Sequence, residues 1–200
     1  MEVMYFRESS EFREWLEENH SHVKEIWLGF LKKRKGVMHG FYYPEAVEIA
    51  LCYGWIDGLT RSVDESRYKV RFTPRKSKSV WSSTNIKRVE ALKEAGLMHP
   101  AGLAVYEARN KKRTDSANFL RENGRLTPEM EQEFMKHPNA YAWFCNTSAS
   151  YRKTCIYWIL SARQEVTRAK RLGILIECSG QQVRIPLLRT DPGHRKPRES

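Results

Sequence analysis

The 200-residue sequence predicts an α+β fold: a small antiparallel sheet with helices in the N-terminal part, followed by a helical C-terminal part. Three observations carry that prediction. Arg67-Tyr-Lys-Val-Arg-Phe72 alternates between cations and apolar residues, the period of a strand with two unlike faces. Trp55–Val63 precedes it across Asp64-Glu65-Ser66, so the pair reads as a hairpin. Beyond Ser83, amphipathic segments are punctuated by glycine and proline in the manner of successive helices. The predicted organisation is an α+β domain over 1–110 with a basic hairpin, a linker over 111–126, a helical region over 127–188 and a disordered tail over 189–200.

Val3–Phe6 reads as a short first strand. Ser9 or Ser10 then offers an N-cap to a helix reaching about Asn19, with Phe12, Trp15 and Leu16 on one face. Lys24–Lys33, rich in aromatic and aliphatic residues, reads as a strand ending in the basic turn Lys32–Gly36. Pro44 suits the first turn of a helix over Tyr43–Tyr53, and Gly54 stops it. In the hairpin, a two-residue loop at Glu65-Ser66 would pair Val63 with Tyr68, Arg61 with Val70 and Leu59 with Phe72. Asp57 and Arg61 would then share the apolar face, where an ionised group needs a partner or a cleft.

Ser82 or Ser83 caps a helix to about Ala95, ended by Gly96, and Pro100 opens another to about Asn110. Residues 110–126 are polar and are expected to be irregular. Helices follow over Glu129–His137, Asn139–Phe144, Tyr151–Ala162 and Thr167–Cys178. Trp143, Phe144, Tyr157 and Trp158 lie at helical spacing and are expected in the core. Arg189–Ser200 is rich in Pro, Arg and Lys, as tails are.

Charge is the strongest functional signal. The net charge is +11, and Arg67–Val89 holds eight Lys or Arg and no Asp or Glu. Cations aligned on one sheet face repel unless an anion, a carboxylate or solvent compensates them. The expected anion-facing residues are Arg67, Lys69 and Arg71 on the strand, then Arg75, Lys76, Lys78, Trp81, Ser82, Ser83 and Asn85 leading into the helix. There, free N–H groups, the positive helix end and hydroxyls favour an anion; Trp81 either stacks a base or plugs the core. Asp57, within Gly54-Trp-Ile-Asp-Gly58, is either an acid/base group or the partner of Arg61 or Arg75.

Several classes are disfavoured. Cys52, Cys145, Cys155 and Cys178 are scattered and read as free thiols of a reducing compartment; with His20-Ser-His22 the closest histidine pair, no metal site is expected. No P-loop, dinucleotide-fold or GxSxG spacing occurs, and no cofactor is indicated. No apolar run approaches the ~20 residues that span a bilayer, and the charged N-terminus is unlike a signal peptide, so the expectation is a cytoplasmic protein without membrane insertion.

Cys52–Gly58 (CYGWIDG), Arg71–Asn85 (RFTPRKSKSVWSSTN), Arg88–Leu103 (RVEALKEAGLMHPAGL) and Tyr151–Leu172 together resemble the bacterial YdeI/OmpD-associated, or bacteriocin-protection, proteins over roughly residues 3–188. The resemblance implies an α+β part followed by a helical part and a link to envelope stress or antimicrobial tolerance. It brings no catalytic residues and no cofactor. Ser77 stands where that family usually has proline, which leaves the loop less rigid.

Three functions compete on the sequence. The first is a non-enzymatic protein binding an anionic partner, either nucleic acid or a phosphate or carboxylate ligand. The second is a small-molecule enzyme or sensor, with Asp57 as acid/base and Arg71 and Arg75 as an anion clamp. The third is an interaction protein using Arg168, Lys170, Arg171 and the tail against a protein partner.

Overall fold

The computed structural model describes residues 2–32 and 40–188, which form two compact units, one up to Asn110 and one from Lys111. Most of the basic turn after Lys32 and the whole tail after Leu188 lie outside the described residues. Sheet and helices combine as an α+β fold with a helical C-terminal half.

The N-terminal unit holds a four-stranded sheet in the order β1 (Val3–Met4), β2 (Ile26–Leu31), β4 (Arg67–Pro74), β3 (Trp55–Ser62). The expected sheet was antiparallel, and three strands obey; β1 instead runs parallel to β2. Helix α1 (Ser9–Asn19) forms the crossover between these two, which is what a parallel pair requires. Helix α2 (Tyr43–Cys52) packs on α1 and β3. Phe12 and Leu16 of α1, Val47 and Leu51 of α2, and Leu28, Val70 and Phe72 of the sheet form one core. Phe12 meets Phe72 edge to face with ring centres 5.9 Å apart; truncating either ring would cost about 3–5 kcal/mol.

Helix starts agree only in part with the sequence. No serine caps α1: its N-cap is Glu8, and Glu11 Oε2 accepts the Arg7 N–H at 2.7 Å. Glu45 serves Tyr42 the same way at the start of α2. Ser82 does cap α3 (Ser83–Glu94), accepting the Asn85 N–H at 3.2 Å. His99 caps α4 (Pro100–Glu107) through Nδ1.

The hairpin register differs from the expected one. Ser62 pairs with Tyr68, Arg61 with Lys69 and Thr60 with Val70, and an extra residue between Asp57 and Thr60 bulges β3 at Gly58-Leu59. The loop is longer than two residues because the Asp64 carboxylate gathers it. Oδ1 accepts the Ser66 and Arg67 N–H groups at 2.8 and 2.7 Å, and Oδ2 takes Arg67 Nε at 2.6 Å. Lys32 ties the same loop to the end of β2 through the Asp64 carbonyl and Ser62 Oγ. One inserted residue exchanges faces along a strand. Asp57 therefore stays on the core face opposite Phe72, whereas Arg61 moves to the opposite face.

The second unit begins with α5 (Lys111–Asn123), where an irregular linker was expected. Polarity suggested a loop, yet no Gly or Pro interrupts 111–123, and Thr114 is buried while α5 packs against α8 (Ala149–Leu160). Helices α6 (Pro128–Met135), α7 (Pro138–Cys145) and α9 (Glu165–Gly180) complete it around Phe134, Phe144, Ile159 and Leu175. The buried Tyr151 hydroxyl accepts the Ile185 N–H at 2.9 Å, fastening the end of the described chain to this core. All four cysteines are free. Among the described residues no helix is long and apolar enough to cross a membrane.

Candidate functional site

The expected anion-facing residues fall into two groups on different parts of the first unit. Arg67, Lys69 and Arg71 lie on the sheet face opposite the core, because Tyr68, Val70 and Phe72 take the other. Two of these cations already have carboxylates. Arg67 pairs with Asp64 at 2.6 Å, and Arg71 Nη1 lies 3.5 Å from Glu25 Oε2. Both acids come from outside the acid-free stretch, which is why the sequence overstated this face. Hydrogen bonds from Ser66 and Arg67 hold the Asp64 carboxyl well below the usual range. Lys69 Nζ sits 4.9 Å from the Trp27 ring centre, with the Arg61 guanidinium 5.6 Å from the same ring. Trp27 is only 8% exposed, so its ring serves these cations.

The loop between β4 and α3 is different. Its backbone is anchored where Arg75 N–H donates to the Gly54 carbonyl at 2.9 Å, the carbonyl of the left-handed glycine that ends α2. The Arg75 guanidinium lies over Trp81, 3.7 Å from the ring centre, and Nη2 donates to the Val80 carbonyl at 3.1 Å. Nε and Nη1 are buried and have no hydrogen-bond partner among the described residues. Ser79 Oγ, in the same loop, is buried and unpartnered as well. Burial holds the Arg75 pKa down at about 10, and the Asp57 charge works the other way.

Asp57 bonds neither of the arginines first considered for it. Its Oδ2 accepts the Tyr43 hydroxyl at 2.6 Å, a residue the sequence did not single out. Burial, then that hydrogen bond, raises the Tyr43 pKa. Arg71 stands on the other side of the sheet beside Glu25, so the expected Arg71–Arg75 clamp around Asp57 does not assemble.

Around the loop, Lys76 and Lys78 are exposed, and the Ser79 N–H closes a turn on the Lys76 carbonyl. Trp81 is 2% exposed and meets Tyr106 edge to face, so it is core, with Arg75 rather than a base on its ring. Ser82 and Asn85 are spent on the cap, Asn85 also accepting Arg88 Nη1 at 3.4 Å. Among the described residues this loop thus carries one guanidinium with two unpartnered donors, one unpartnered hydroxyl and two exposed lysines. Open guanidinium and hydroxyl donors are the chemistry of oxyanion recognition. Ser79 carried no signal of its own; only the fold shows that its hydroxyl lacks a partner among the described residues.

The cations of α9 have local tasks. Arg168 Nε donates to the Ala162 carbonyl at 2.8 Å, and Arg171 Nη1 donates to the Trp158 carbonyl, so both close off the chain end of α8. Lys170, the third of the expected contact residues, makes no such bond among the described residues.

Residues 4–105 match a family described as Domain of unknown function (DUF8412), and residues 125–182 match the family described as Bacteriocin-protection, YdeI or OmpD-Associated. Cys52–Gly58, Arg71–Asn85 and Arg88–Leu103 fall in the first span and Tyr151–Leu172 in the second, so the resemblance read over one continuous stretch divides between two families. No curated protein and no solved structure matches the chain. Through half of its length the chain belongs to the DUF8412 family, and its C-terminal unit carries the YdeI/OmpD-associated segment.

Proposed function

We propose that this protein is a non-enzymatic anion-binding protein acting in antimicrobial-stress tolerance, and that its N-terminal unit captures an oxyanion at Arg75. The observation that carries this is the pair of buried, unpartnered Arg75 nitrogens. Asp57 acts on the buried Arg75 guanidinium only through its charge, with no hydrogen bond between them, and burying a guanidinium so incompletely paired costs several kcal/mol. Nε and Nη1 lie on different edges of the guanidinium, so a phosphate or carboxylate admitted to either one would repay part of that through a charge-assisted hydrogen bond of about 1.5–3 kcal/mol. Ser79 Oγ supplies a third donor, and Lys76 and Lys78 raise the local anion concentration. The stress role rests on the family matched by residues 125–182.

A small anion suits this geometry better than a polynucleotide. The sheet cations that would follow a nucleic-acid backbone face Asp64, Glu25 and Trp27; Arg71 keeps one buried nitrogen, Nε, unpartnered among the described residues, against two on Arg75. The test is a thermal-shift series with inorganic phosphate and with single-stranded DNA at two salt concentrations, on the parent chain and on Arg75→Gln. Phosphate at 100 times its Kd should stabilise the parent by ~2.7 kcal/mol, and Arg75→Gln should lose that gain. A salt-sensitive shift with DNA that survives in Arg75→Gln and is lost in Lys69→Gln would move the site to the sheet face and refute the proposal.

A further inference from the structure

The second unit contains a cleft of about 780 Å³ beside α5 and α8, within the roughly 300–1,000 Å³ usual for ligand sites. Tyr157, Trp158 and Leu188 give it an aromatic and apolar wall, and Arg121 and Lys153 border it. Tyr157 was expected in the core but is only half buried. The Arg121 guanidinium lies 4.7 Å from the Tyr157 ring centre, and neither it nor Lys153 makes an ion pair or hydrogen bond among the described residues. Glu122 also lines the cleft, so two cations stand against one carboxylate.

The wall is held in place. Arg171 lies over Trp158 at 5.0 Å from its ring centre and bonds the Trp158 carbonyl, and Ser161 Oγ donates to that same carbonyl at 3.0 Å. Thr154, which also lines the cleft, spends its hydroxyl proton on the Ser150 carbonyl at 2.9 Å. An apolar, aromatic wall whose edge carries two cations against one carboxylate matches a ligand that is flat and apolar at one end and anionic at the other.

We infer that this cleft is a second binding site, independent of Arg75, for planar aromatic molecules carrying a phosphate, sulfonate or carboxylate group. The ring packs against Tyr157, Trp158 and Leu188, and the anion reaches Arg121 and Lys153. The test is calorimetric titration of the full-length Arg75→Gln chain with 1-naphthyl phosphate and with neutral 1-naphthol. The Arg75→Gln background removes the N-terminal anion site, so failure of one proposal leaves the other standing. Naphthyl phosphate should bind saturably, and adding Arg121→Gln with Lys153→Gln should weaken it at least tenfold. Both side chains are exposed, so the melting temperature of that variant should not change. Naphthol should bind more weakly and be indifferent to the two substitutions. No saturable binding of naphthyl phosphate, equal binding by the charge-removed variant, or equally strong binding of naphthol would overturn the inference.

Discussion

At the scale of single residues, Arg75 and Asp64 show how partners decide what a charge does. Asp64 is fully engaged by the turn it closes, and its folded pKa lies below the ordinary 3.8. A depressed carboxyl pKa contributes stability that is fully present above the unfolded value and is lost as pH falls through the folded one. Asp64→Asn should therefore be less stable than the parent at neutral pH. The gap between the two should narrow as pH falls below about 4, as urea melts across the acid range would show; a gap constant down to pH 2 would contradict the account. Arg75 is the reverse case, a cation whose burial lowers its pKa to about 10. The charged form on which an anion depends is thus lost as pH rises through that value. Once inorganic phosphate is fully the dianion, above about pH 8.5, its affinity should decline as pH rises past about 10, measured by calorimetry. The Arg67–Val89 charge run pointed to this region, and Arg75 lies within it. Which cations stay unpaired was not legible there, since Asp64, Glu25 and Trp27 lie outside the run.

At the scale of elements, strand and helix periodicity placed β2, β4, α2 and α3 close to where they form, because their apolar faces match the burial. Register was not legible. A single bulge at Gly58-Leu59 moved Arg61 across the sheet, and no local signal separates a two-residue loop from one organised by an Asp side chain. Helix α5 escaped notice because its composition is polar and its docking against α8 is tertiary. The crossing of α2 and α4 depends on Gly102, where a Cβ would lie 2.0 Å from the Cys52 carbonyl oxygen and 3.0 Å from that of Leu51. Both are backbone atoms of a packed helix and cannot yield locally. Gly102→Ala should destabilise the N-terminal unit by roughly 2–4 kcal/mol in chemical denaturation. A loss under 0.5 kcal/mol would show that α4 shifts freely.

At the scale of the whole molecule, two cores with no shared side chain match two families along one chain. A unit with its own core can fold alone. A fragment spanning Lys111–Asp191 should accordingly give a helical circular-dichroism spectrum and melt cooperatively; a featureless melt would deny it an independent core. The excess of cations expected from a net charge of +11 is spent unevenly. Carboxylates, rings and helix-end carbonyls take many of them, and Arg75 keeps two buried donors open. That residue is the centre of the functional account, and its Nε–H can be watched directly. The measurement is a proton–nitrogen NMR titration of the whole chain with inorganic phosphate, the Arg75 Nε–H resonance being assigned by its absence in Arg75→Lys. This resonance should shift saturably, with the dissociation constant found by calorimetry. A resonance that stays put while lysine or sheet signals move, or a titration in which nothing moves, would contradict it.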